Sequence, residues 1–109
     1  MAKDEAYRQA EETIAEAKRK DAAVLDLCGM DLTAIPTTIA NLTQLQKLNL
    51  YHNQLKEVPI GITNLTQLRC LGLGNNKITE IPTAIANLRE LQELYLCDNS
   101  IKKIPTALT

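Results

Sequence analysis

The residues of this chain that could carry out chemistry are its three cysteines and its one histidine. A thiol beside an imidazole is the basis of thiol catalysis and supplies half of a zinc site. Cys28 and His52 have this potential, because the chain repeats every 23 residues and the two fall in neighbouring positions of successive repeats. The sequence places no third orienting group beside them, and it has no glycine-rich phosphate loop or paired-carboxylate motif. We therefore predict a protein that is not an enzyme and that holds no metal and no cofactor.

The 23-residue repeat predicts the secondary-structure elements that position these residues. A proline recurs every 23 residues and each time follows an aliphatic residue, at Pro36, Pro59, Pro82 and Pro105. A fixed period of this length indicates a stacked repeat array. The predicted copies span residues 22–44, 45–67, 68–90 and 91–109, and the last is four residues shorter than the others.

Within one copy, the pattern predicts a strand. Leu48 and Leu50 alternate with Lys47 and Asn49, which is the period of a strand with one buried face. Stacked copies of such a strand predict a parallel sheet.

The residues that follow each strand predict a turn and a short outer segment. An asparagine recurs there, at Asn53, Asn76 and Asn99. A buried amide at this position can satisfy the backbone of the turn and of the adjacent copy. Each repeat proline, with its fixed φ and no N–H, suits the first position of a short helical or 3₁₀ segment on the outer face. Met30 replaces the asparagine in the first copy, and we expect it to pack against the preceding helix.

The complete pattern, LxxLxLxxNxLxxIPxxIxxLxx, resembles the leucine-rich repeat family over 88 of the 109 residues. It is most similar to the 23-residue class found in bacterial repeat proteins and in intracellular scaffolds that bind Ras-like GTPases. The segment that enters Val24–Leu27 also resembles the opening of Roco-type repeats. The resemblance implies a short right-handed solenoid of the α/β class, with its parallel sheet on the concave face. It also implies a non-catalytic protein–protein interaction module.

Residues 1–21 form a separate unit in this interpretation. Over residues 2–21, the apolar side chains fall within one helical arc, which predicts an amphipathic helix; they are Ala6, Tyr7, Ala10, Ile14 and Ala17. Solenoids need a cap that covers the first repeat. We therefore predict an N-terminal capping helix over residues 1–21 and a repeat domain over residues 22–109.

The candidate binding residues follow from the family's use of its concave face. Tyrosine and arginine are enriched at energetic hot spots, which singles out Tyr51, Tyr95 and Arg69. Gly72 and Gly74 indicate either a close approach to the backbone or a tolerant position. The predicted partner-binding residues are Lys47, Asn49, Tyr51, His52, Arg69, Gly72, Glu93 and Tyr95.

The last copy supports an alternative function, because the sequence has no cap after it. An open strand edge beside apolar residues invites pairing. The chain is then either a fragment of a longer array or a protein that forms a homodimer through this edge. The predicted edge residues are Leu94, Leu96, Ile101, Ile104 and Leu108.

Composition limits the remaining classes of function. The first 21 residues carry five basic and six acidic groups and the other 88 carry seven of each, so nucleic acid is not an expected partner. No apolar run approaches the ~18 residues of a membrane span. The sequence begins without a secretory signal, and its three cysteines form no disulfide framework. We therefore expect a reducing, cytoplasmic location.

Overall fold

The structure is a computed structural model that describes the backbone of residues 2–105 and the side chains of residues 5–105. Within that range the helix α1 (Ala2–Arg19) precedes four short strands. The strands are β1 (Val24–Asp26), β2 (Lys47–Asn49), β3 (Cys70–Gly72) and β4 (Glu93–Tyr95). Between successive strands lie 3₁₀ helices over Thr37–Asn41, Ile60–Asn64 and Thr83–Asn87.

The four strands form one parallel sheet in the order β1-β2-β3-β4. Leu25 pairs with Leu48, Leu48 with Leu71, and Leu71 with Leu94, so equivalent repeat positions lie side by side. The predicted fold, an α/β leucine-rich repeat solenoid with an N-terminal helix, is confirmed. Each strand has only three residues, and Leu50 therefore lies just beyond β2 rather than within it.

The core is a stack of aliphatic side chains between the sheet and the 3₁₀ helices. Leu48 and Leu71 of the sheet, Ile62 of the second 3₁₀ helix and Leu65 after it are all essentially inaccessible to solvent. Layers of leucine and isoleucine fill this space because the chain contains no Phe or Trp. Such thin, uniform layers are what a repeat of 23 residues can supply.

The predicted asparagine ladder is confirmed. The Asn53 amide Nδ2 donates to the carbonyl oxygens of Leu27 and Leu50, at 3.0 and 3.1 Å, and its Oδ1 accepts the Leu32 N–H at 2.9 Å. Asn76 and Asn99 repeat the arrangement one and two coils further on. Each amide therefore joins its own turn to the preceding coil.

The helix α1 packs its alanine-rich face on the first coil. Ala10, Ile14 and Ala17 are buried, and Met30 is half-buried against the same core. The Lys18 Nζ donates to the Asn41 carbonyl oxygen at 3.2 Å, at the end of the first 3₁₀ helix. No helix in the described part of the chain combines the length and the apolar character needed to span a bilayer.

The prolines differ slightly from the expectation. Pro36, Pro59 and Pro82 are the residues immediately before the 3₁₀ helices rather than the first residues within them. Their ψ angles of 138°, 128° and 147° are extended, so each proline turns the chain before the first 3₁₀ turn begins. The fixed φ that motivated the prediction serves this entry position equally well.

Candidate functional site

The exposed faces of β1–β4 form the concave surface, with a shallow cleft of about 290 Å³ at its centre. Five of the eight predicted binding residues line this cleft: Lys47, Asn49, Tyr51, Gly72 and Tyr95. Sequence reasoning did not select its other lining residues, which are Val24, Leu25, Asp26, Leu48 and Cys70. The register already placed Val24, Asp26 and Cys70 on the concave face, and Val24 is 58% exposed.

The side chain of Tyr51 lies across β3 at the two glycine positions. A Cβ atom built on Gly72 would stand 2.4 Å from the Tyr51 Cε1, and one built on Gly74 would stand 2.6 Å from Cε2. Opposite edges of the ring thus lie over Gly72, the last residue of β3, and Gly74, two residues beyond it. The ring therefore covers the backbone at these two glycine positions. The close approach that the glycines indicated is made by Tyr51 itself, and Gly72 is buried beneath it.

Tyr95 meets Tyr51 from the other side of β3. The two ring centroids are 6.5 Å apart with an interplanar angle of 53°, within the range of favourable aromatic pairs. The Tyr95 hydroxyl donates to Glu93 Oε2 at 3.0 Å. This hydrogen bond and the charge of the carboxylate raise the pKa of Tyr95 above its usual value of 10.0. Tyr95 is 43% exposed, so its ring is available to a partner.

An asparagine fixes the turn from which Tyr51 projects. Asn49 Oδ1 accepts the Tyr51 N–H at 3.0 Å, and Asp26 Oδ1 accepts the Cys28 N–H at 2.9 Å in the preceding coil. Side chains of this type stabilise turns by accepting a hydrogen bond from the residue two positions later. Asn49 therefore acts on the site by orienting Tyr51.

His52 occupies the left-handed turn position of its coil. Its φ is 58°, and the equivalent residues of the other coils, Gly29, Asn75 and Asp98, also have left-handed φ values of 69°, 56° and 56°. Gly, Asn, Asp and His are the residues that tolerate this conformation best. The imidazole lies 6.3 Å from the Tyr51 ring, centroid to centroid. No group of three or more His, Cys, Asp or Glu in residues 5–105 could hold a metal ion, and Cys28 is an exposed free thiol.

Arg69 lies apart from the tyrosine pair. It borders a second depression, at the start of the strands, together with Gln46, Thr66, Gln67 and Glu90. Arg69 precedes β3, so it falls outside the columns that the concave strands define. Arg69 is among the predicted partner-binding residues because of its residue type alone.

Cys70 lies between Lys47 and Glu93 on the concave face, because β3 pairs with β2 on one side and with β4 on the other. Burial raises the pKa of its thiol, and the charge of Glu93 raises it further. A thiol with a raised pKa is a weak nucleophile at neutral pH. Cys70 is half-buried and lines the cleft.

The predicted C-terminal edge includes β4, which is one of the two edge strands of the described sheet. Leu94, Leu96 and Ile101 are half-buried, whereas Ile104 is 52% exposed. Leu108 lies outside the described residues. The equivalent leucines in the two preceding coils are fully buried.

Comparison with known proteins agrees with this architecture. A family model described as a leucine-rich repeat region matches residues 24–103. An internalin of Listeria monocytogenes is similar, with 33% identity and a TM-score of 0.70, over 84% of this chain and 30% of that one. A leucine-rich repeat protein of Leptospira interrogans is similar, with 27% identity and a TM-score of 0.52, over 86% of this chain and 36% of that one. This chain thus spans about a third of the length of either structure. A comparison with curated proteins found no match.

Proposed function

Because this chain belongs to the leucine-rich repeat family, we propose that it is a non-catalytic module that binds a protein partner on its concave face. Leucine-rich repeat proteins in general mediate protein–protein interactions. The observation that carries the proposal is the tyrosine pair, in which Tyr51 is seated on the backbone of β3 and Tyr95 faces it across the glycines.

The seating of Tyr51 favours binding because the ring is ordered before a partner arrives. Ordering a side chain at an interface costs about 0.5–1.5 kcal/mol. Tyr51 does not incur that cost on binding, since Gly72 and Gly74 already hold its two edges. Tyrosines fixed in this way are the usual anchors of interface hot spots.

The surroundings of the pair support an interface as well. Lys47, Asp26, Glu93 and His52 are exposed around the cleft. Aromatic residues at the centre and charged residues at the rim are the usual anatomy of protein interfaces.

Affinity capture from extracts of the source organism tests this function. The wild-type chain is compared with a Tyr51→Ala/Tyr95→Ala variant, which we expect to bind its partner at least about 30-fold more weakly, as loss of a hot spot implies. Ile60→Thr is the matched control, because Ile60 is 84% exposed on the 3₁₀ side and Thr37 and Thr83 occupy the equivalent positions. Equal capture by the wild type and the tyrosine variant would contradict concave-face binding.

A second candidate function is self-association through β4 and the apolar residues of the last coil. The exposed Ile104 and the half-buried Leu94 and Leu96 favour it, because a second copy would cover these apolar side chains. Light scattering over a concentration series tests this alternative. We expect a dimer that Ile104→Lys converts to a monomer, and a wild-type chain that stays monomeric at high concentration would exclude it.

We further propose a scaffold role in the cytoplasm. Cys28, Cys70 and Cys97 are all free, which suits a reducing compartment. Thiol labelling immediately after cell lysis checks this proposal: we expect all three cysteines to react after denaturation, and a blocked thiol would argue for an oxidising location.

A further inference from the structure

We propose that the partner presents an arginine side chain to the corner formed by Tyr51, Tyr95 and Glu93, an inference that rests on the proposed concave-face function. The guanidinium would lie against the tyrosine rings and beside the Glu93 carboxylate. Three observations support this occupant: the arrangement of the rings, the unpaired carboxylate and the position of Lys47.

The two rings form an angled aromatic surface. Their planes meet at 53° with centroids 6.5 Å apart, and both rings line the cleft. Cations bind over the face of an aromatic ring within about 6 Å of its centroid. A side chain that enters this angle can contact both rings at once.

Glu93 supplies the negative charge that a cation requires. Its Oε2 accepts the Tyr95 hydroxyl, which holds the carboxylate beside the aromatic corner. The ion pairs within residues 5–105 all lie on α1, between Arg8 and Glu5 and between Glu16 and its two basic neighbours. Glu93 is therefore an exposed carboxylate without a basic partner in the described chain, and it retains free acceptor positions.

Arginine suits the corner better than lysine. A guanidinium is planar, stacks on aromatic faces and donates two parallel hydrogen bonds to a carboxylate, whereas an ammonium is a compact and strongly hydrated charge. Stacking on Tyr51 and pairing with Glu93 use both properties.

The charge of Lys47 determines the side of the cleft on which a partner's cation can bind. Lys47 lies on the opposite side of Cys70 from Glu93, because β2, β3 and β4 pair in register at these residues. Its charge repels a cation on the β2 side of the cleft, so an arginine is directed toward β4. An acidic partner group would meet Lys47 but would be repelled by Glu93 and by the negative faces of the rings.

The aromatic NMR spectrum provides a direct test. The chain has three tyrosines, one histidine and neither Phe nor Trp, so every aromatic resonance can be assigned. The probe is N-acetylarginine methylamide, and its control is the citrulline analogue, which has nearly the same shape but no charge. We expect the arginine probe to shift the Tyr51 and Tyr95 rings saturably and to bind about two- to fivefold more tightly than the citrulline probe, as exposed cation–π contacts do. The Tyr7 ring on α1 is the internal reference.

Matched variants complete the test. Glu93→Gln should weaken the arginine probe about two- to fivefold, as loss of an exposed ion pair does, and Lys47→Gln should strengthen it. Glu90→Gln, at the end of the preceding repeat and in the second depression beside Arg69, should have no effect. Equal binding of the arginine and citrulline probes, or an unchanged affinity in Glu93→Gln, would overturn the inference.

Partner capture by the variants separates the arginine assignment from concave-face binding. Partner capture that is lost in Tyr51→Ala/Tyr95→Ala but is fully retained in Glu93→Gln would overturn the arginine assignment and leave concave-face binding in place. Capture that survives the tyrosine variant would overturn both.

Discussion

The position of the Tyr51 ring depends on two glycines. The ring can cross β3 only because Gly72 and Gly74 leave that part of the concave face open. Glycine weakens a strand by roughly 0.5–1 kcal/mol relative to alanine. An aromatic ring that covers a strand glycine offsets part of this loss, a device also used in designed sheets. The site is thus a unit of three residues, and substitutions within it should be coupled.

The first prediction concerns Gly72→Ala. The new Cβ would collide with the Tyr51 Cε1, and displacement of the ring should cost about 1–3 kcal/mol, as overpacking does. In a Tyr51→Ala background the same substitution should instead stabilise the chain by about 0.5–1 kcal/mol, the ordinary gain of alanine over glycine. Urea unfolding of the four proteins in this double-mutant cycle measures both values. A Gly72→Ala effect of the same sign in both backgrounds would contradict the seating of Tyr51.

The second prediction concerns the pH dependence of Tyr95. The hydrogen bond to Glu93 raises the pKa of this phenol above 10.0, so the folded state binds its proton more tightly than the unfolded state. The resulting stabilisation is fully present below pH 10 and is lost as the pH rises through the folded-state pKa. Phenolate absorbance should show Tyr95 ionising above pH 10 in the wild type and closer to 10 in Glu93→Gln. An identical titration in both proteins would show that the hydrogen bond is absent.

The asparagine ladder connects each turn to the coil before it. Asn76 is 8% exposed, its amide donates to the Leu50 and Leu73 carbonyl oxygens, and its Oδ1 accepts the Leu55 N–H at 3.1 Å. Asn99 makes equivalent bonds in the half-exposed last coil. The same set of hydrogen bonds therefore occurs at a buried asparagine, Asn76, and at a half-exposed one, Asn99.

The third prediction compares Asn76→Ala with Asn99→Ala. A buried group that loses its hydrogen-bond partner costs about 1–3 kcal/mol, and Asn76→Ala leaves several such groups, so we expect a loss of about 3 kcal/mol. Water can reach the corresponding groups of Asn99, and we expect a loss of about 1 kcal/mol there. The difference in the free energy of unfolding checks the ladder; equal losses would mean that burial does not determine its strength.

The fourth prediction concerns α1, which we propose to be the cap of the first coil. Ile14 is 2% exposed, so Ile14→Ala should cost about 2–4 kcal/mol, as other buried truncations do. Thr13→Ala, on the exposed side of the same turn, is the control and should change little. Deletion of residues 1–20 should give an aggregating or non-cooperatively unfolding product. A monomeric, cooperative product would remove the cap assignment.

For the whole molecule, the repeat register could be read directly from the sequence. The period of Leu48, Asn53 and Pro59 was sufficient to predict the parallel sheet, the ladder and the outer segments. The position of the Tyr51 ring could not be predicted. A repeat pattern specifies the face of the sheet on which a side chain lies, but not which neighbouring strand the side chain crosses. Arg69 was selected by residue type alone, and its position before β3 places it at the second depression rather than in the cleft.

The native cysteines can test directly whether a protein partner covers the concave face. Cys28 and Cys97 are exposed thiols in the same concave column as Tyr51. Thr83→Cys adds a reference thiol on the exposed 3₁₀ side. Alkylation rates measured by mass spectrometry, with and without the captured partner, report which side is covered. We predict that the partner slows the labelling of Cys97 about tenfold or more and leaves the thiol introduced by Thr83→Cys unchanged, as expected for desolvation at an interface core. Protection of the introduced thiol with unchanged labelling of Cys97 would contradict binding on the concave face.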